Sequence, residues 1–158
     1  MQDELFSKNP CTEFCDSRKK IVVKDKGNTQ EYRLINNGGK FCCKIRVDGC
    51  LIKEGKKCDY LVVNCSDRLA IFIELKGKKL SEACEQIECS LERLTKANYL
   101  EDLQVMARIV LNKVSQTPPK TTKSSPVNRL KLKLNNHNKQ LKNINSLELE
   151  LVKYKSQV

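Results

Sequence analysis

A chain of 158 residues with 30 Lys+Arg against 19 Asp+Glu carries a formal charge of +11. Its length fits one domain with a real core, its 39% hydrophobic content excludes a disordered chain, and no apolar run reaches the ~20 residues that cross a bilayer. The basic excess points to a polyanionic partner, nucleic acid first and an anionic membrane surface second, and nucleic acid without a membrane is the expectation; the opening MQDELFSKNP has no secretory pattern, so a cytoplasmic protein is expected.

In chain order, residues 1–18 read as a short helix with a turn at Asn9-Pro10. Ile21–Lys24 and Glu31–Ile35 read as short strands around the turn signal Lys26-Gly27-Asn28. After the turn Asn36-Asn37-Gly38-Gly39, Phe41–Ile52 reads as a longer strand broken near Gly49. Arg46 and Asp48 are read there as a cross-strand structural pair. Cys58–Cys65 and Leu69–Lys76 are the clearest strands, linked by Ser66-Asp67-Arg68. From Leu80 the period changes to 3.6: Leu80, Cys84, Ile87, Leu91 and Leu94 form one apolar stripe, with Ser81 suited to the first turn. Gln104–Leu111 reads as a buried strand, 115–126 as a Pro/Ser/Thr-rich loop, Val127–Leu141 as a basic helix and Leu147–Tyr154 as a last strand. The whole is a mixed α/β domain spanning 1–158, its order from Lys40 being β-β-β-α-β-α-β.

The nine cysteines are odd in number and lack metal-ligand spacing. A disulfide framework is therefore not expected, and core filling is. His137, the one histidine, reads as a surface residue. The charge gathers at the C-terminus, where nine Lys/Arg and two Glu follow Pro119, and Lys131, Lys133, Lys139 and Lys142 are candidates to touch phosphate. Leu130, Leu134 and Leu141 would dock that helix on the core.

Chemistry concentrates in CDYLVVNCSDRLAIFIELKG. Strand side chains alternate with period two, so Glu74 and Lys76 share a face with Ala70 and Phe72, while Asp59 shares one with Leu61 and Val63. A hairpin centred between Ser66 and Asp67 sets Asp59 opposite Glu74, Cβ atoms ~5 Å apart. Opposed carboxylates at the end of an apolar hairpin repel and are costly to bury, and a hard divalent cation would compensate. Beside it, Lys76 could orient a water or stabilise a phosphate, which makes phosphodiester hydrolysis the natural reaction class.

Asp59-x14-Glu74-Leu75-Lys76 resembles the signature of the PD-(D/E)xK nuclease superfamily, over roughly 40–111. The resemblance implies a restriction-endonuclease-like core (αβββαβ), here with a basic helix and strand added over 127–158. It implies Asp59 and Glu74 as ligands of Mg2+ or Mn2+, Lys76 as the catalytic lysine, and Gln86, on the following helix beside Ala83 and Ser90, as a further site residue. Cys58 stands where the family name has proline. The acid that many members carry on an early helix has Glu4 and Glu13 as candidates, and Asp48 is a further acid. The function implied is a metal-dependent nuclease, on DNA ahead of RNA, working with a second copy or a partner protein. The rivals are a non-catalytic nucleic-acid-binding module and an interaction subunit on the same fold.

Overall fold

The centre of the molecule is set by the turn between Asn64 and Leu69. The Asn64 side chain accepts from Asp67 N at 2.9 Å and donates to Asp67 Oδ2 at 3.0 Å, and Arg68 turns left-handed at φ 55°. This brings the two most apolar segments into antiparallel register. In the computed structural model, which describes residues 2–25, 30–75, 79–111, 125–139 and 149–153, the elements are α1 (Gln2–Ser7), β1 (Thr12–Asp16), β2 (Lys20–Lys24), β3 (Glu31–Ile35), β4 (Cys42–Arg46), β5 (Tyr60–Asn64), β6 (Leu69–Leu75), α2 (Leu80–Lys96), β7 (Gln104–Leu111), α3 (Pro126–Asn138) and β8 (Leu149–Lys153).

The fold is mixed α/β. One sheet runs β1-β4-β5-β6-β7-β8, antiparallel as far as β6 and parallel beyond it, where α2 makes the crossover to β7. β2 and β3 pair only with each other, as a hairpin. Both faces of the sheet are covered. On one, Leu61, Val63, Ala70 and Phe72 pack with Ile87 and Leu91 of α2 and Leu130 and Leu134 of α3. On the other, Tyr60, Val62, Ile71 and Ile73 pack with Ile21, Val23 and Tyr32 of the hairpin. That double cover explains why β5 and β6 are continuous apolar runs rather than alternating ones.

The expected strands β2, β3 and β7, the helix α2 and its stripe all form; Cys84, Ile87, Leu91 and Leu94 are buried along it. Lys79 is its N-cap residue and makes no side-chain cap, so Ser81 lies inside the helix. Corrections fall at the edges. The N-terminal segment holds a strand, β1, besides its helix. The strand expected over Phe41–Ile52 stops at Arg46, and the chain then turns through Gly49, whose φ is 72°. Arg46 and Asp48 are two residues apart on that turn, Arg46 Nε donating to the Asp48 carbonyl at 3.0 Å, and not a cross-strand pair. Ser125 caps α3 by accepting from Asn128 N at 3.2 Å, with Pro126 in the first turn, so the helix begins inside the expected loop. The rest of that loop, Leu141, Lys142 and the turn at 26–28 lie outside the described residues. Asn138, fully buried at the end of α3, bonds both Val105 N (2.8 Å) and Val105 O (2.9 Å), and His137 Nε2 lies 2.9 Å from the Leu103 carbonyl.

The cysteines depart most from expectation. Cys11–Cys50 and Cys15–Cys43 are disulfides, closing 39- and 28-residue separations. Cys15 and Cys43 are direct cross-strand partners, a relation that linear spacing does not display. Of the five free thiols, Cys42, Cys58 and Cys84 are buried core fillers as expected. Among the described residues, no helix is long and apolar enough to cross a membrane.

Candidate functional site

The β5–β6 ladder pairs Tyr60 with Ile73 and Leu61 with Phe72, the register that sets Asp59 beside Glu74. Asp59 lies one residue before β5, and its main chain turns away to accept from Val47 N at 3.0 Å and Asp48 N at 3.3 Å. Its side chain carries the pairing on: Oδ2 accepts from Leu75 N at 2.7 Å. Glu74, at 2% exposure, points to the helix-covered face with Ala70 and Phe72, the same face that Leu61 and Val63 present. The hairpin therefore brings Asp59 and Glu74 together at one end of the sheet.

α2 closes this end from above. Ser90 Oγ accepts from Cys58 N at 2.8 Å and donates to the Gln86 carbonyl at 3.0 Å, tying the helix to the residue before Asp59. Gln86 Oε1 is buried and has no hydrogen-bond partner among the described residues. Burial pushes the Cys58 thiol far above its ordinary value, and the nearby Glu74 and Asp59 carboxyls add to this, so Cys58 is a neutral wall of the site and no nucleophile. Lys76 lies outside the described residues.

From the opposite side comes Asp25, one residue past β2, which the sequence reading did not single out. Its carboxyl lies close enough to that of Asp59 for the two to interact. Burial, then the Asp48 charge, raise the Asp25 carboxyl above its ordinary value, while Arg46, Asp59 and Lys44 lower it. Such a site presents hard oxygens whose mutual repulsion a proton or a cation relieves. No sequence period links β2 to β5, so only the docking of the hairpin reveals Asp25.

The early acids take other roles. Glu4 pairs with Lys8 at 3.3 Å on the exposed face of α1. Glu13, on β1 rather than a helix, holds Lys44 at 2.7 Å and accepts from Tyr60 Oη at 3.2 Å. Asp48 lies 3.7 Å from Lys57. Among the described residues, no three His, Cys, Asp or Glu side chains are grouped to hold a metal ion. The donor set at the sheet end would be Asp59 and Glu74 alone, and a cation held by two carboxylates would keep most of its waters. No family model matches the chain, and no curated protein or solved structure is significantly similar to it.

Proposed function

We propose that the chain is a metal-dependent nuclease with a restriction-endonuclease-like core, hydrolysing phosphodiester bonds of nucleic acid, DNA ahead of RNA. The observation that carries this is the bond from Leu75 N to Asp59 Oδ2, which continues the β5–β6 register and brings Asp59 and Glu74 to the same end of the sheet. The order from β4 through β7, three antiparallel strands, a helix and a parallel strand, supports the same reading. Asp59 and Glu74 would hold Mg2+ or Mn2+, with water completing the shell. When bound, such an ion lowers the pKa of its water and offsets phosphate charge. Lys76, two residues beyond Glu74, supplies a cation for the phosphate oxygens, and Gln86 Oε1 accepts a hydrogen bond from the attacking water.

Asp59→Ala, Glu74→Ala and Lys76→Ala should each lower nicking of plasmid DNA in Mg2+ or Mn2+ by more than about 100-fold. Cleavage at the wild-type rate in Glu74→Ala would sink the proposal. The second reading, a nucleic-acid-binding module without catalysis, is favoured by the lack of a three-acid group among the described residues. Binding that persists in EDTA, with no nicking of DNA or RNA in Mn2+, would select it. A second copy or a partner protein would supply sequence specificity. Disulfides form and persist in oxidising compartments, so Cys11–Cys50 and Cys15–Cys43 weigh against the cytoplasmic setting that the sequence led us to expect.

A further inference from the structure

The nuclease reading requires a surface that holds a polyanion beside Asp59 and Glu74. Two cations of the densest basic stretch in the sequence are engaged within the fold, while Lys131 and Lys139 of that stretch are exposed. On α3, Arg129 faces Glu88 at 3.8 Å, and Lys133 pairs with both Glu88 (2.7 Å) and Glu92. These cations fasten α3 to α2, and their charge is largely met within the molecule.

A different set of cations surrounds the carboxylate end of the sheet. Lys24 is the last residue of β2, whose Ile21 and Val23 pack in one cluster with Tyr60 and Ile73, and it directly precedes Asp25, which lies near Asp59. Arg46 is the last residue of β4, opposite Tyr60. It keeps its guanidinium exposed except for the Nε bond to Asp48, and its charge acts on Asp25. Lys79 is the N-cap residue of α2, four residues beyond Leu75. All three are exposed, and none forms an ion pair among the described residues. They come from three separate elements that meet at one sheet end: the hairpin, the central sheet and the crossover helix.

We infer that Lys24, Arg46 and Lys79 form the phosphate grip that seats a nucleic-acid backbone across the Asp59–Glu74 end of the sheet, an inference that rests on the proposed nuclease reading. The chemistry recognised is the repeating phosphodiester, and the contacts carry no base information. A cationic rim around a carboxylate centre draws the strand in while the centre remains repulsive until a divalent cation occupies it. A Lys and an Arg offer complementary contacts, a mobile point charge and a planar fork.

The test is binding of a fluorescent 20-base-pair DNA duplex and of its single strand, in EDTA, across a salt series. The full chain is compared with Lys24→Gln/Arg46→Gln/Lys79→Gln and with Arg129→Gln/Lys131→Gln/Lys133→Gln, each checked for folding by circular dichroism. Loss of about three phosphate contacts should weaken duplex binding by about 10-fold or more and flatten the slope of log K against log salt by about 2.7, or about 2 for the single strand. The α3 variant should change affinity less than about threefold. Unchanged binding by the rim variant, an equal loss in the α3 variant, or no binding by the wild type in either arm would overturn the inference. Nicking in Mn2+ separates it from its premise: rim-dependent binding without nicking fails the nuclease and keeps the grip, and nicking with rim-independent binding does the reverse.

Discussion

At the scale of single residues, Asp59 shows how one side chain can serve both fold and site. Its backbone leaves β5 to bond the 47–48 turn, and its carboxylate takes over the ladder at Leu75 N. Period-two alternation made Asp59 and Glu74 legible in the sequence, because side-chain direction along a strand needs no tertiary knowledge. Asp25 was illegible, since its place depends on how a separate hairpin docks. Asn138, which sequence reading did not single out, is fully buried. Its amide satisfies the N–H and the C=O of Val105 together. Asn138→Ala would leave both backbone groups buried and unpaired. It should destabilise the protein by about 2–3 kcal/mol in urea unfolding. A change below about 0.5 kcal/mol for the alanine variant would mean that α3 docks through Leu130 and Leu134 alone.

At the scale of elements, the sequence was most informative where one period dominates. The 3.6 stripe of α2 and the apolar run of β7 have the bounds that their patterns imply, while β5 is shorter than the expected Cys58–Cys65 and runs from Tyr60 to Asn64. Composition failed at β1, whose TEFCD lacks an apolar run because it is an edge strand with modest burial. Spacing also failed for the cysteines, because a disulfide is a relation between strands. Cys15–Cys43 crosses the β1–β4 ladder, and Cys11–Cys50 ties the start of β1 to the Gly49 turn beside Asp48. Both cross-links clamp the edge strand and the turn that leads to Asp59. Alkylation of the unfolded, unreduced protein followed by mass spectrometry should label five of the nine cysteines. Reduction should cost about 3–4 kcal/mol for each bridge, given loops of 28–39 residues. Nine labelled cysteines in protein purified without reductant would remove the cross-links from the working molecule.

At the scale of the whole molecule, the +11 charge is a matter of placement. Arg129 and Lys133 lie in the basic C-terminal third yet serve as internal ties to Glu88 and Glu92. Lys24, Arg46 and Lys79 lie far apart in sequence yet meet at one sheet end. Net charge pointed to a polyanion, and the fold decides which cations are available to it. Against that basic background, the carboxylates at the same sheet end are the exception, and on the proposed reading a cation would offset them. The most direct measurement is calorimetric titration of Mn2+ into the purified full chain, into Glu74→Gln and into Asp59→Asn, at one pH and with folding verified. A metal centre at the Asp59–Glu74 pair predicts saturable binding at one equivalent in the wild type, weakened by at least about tenfold in either variant. Equal Mn2+ affinity in all three proteins, or no saturable binding in the wild type, would contradict it.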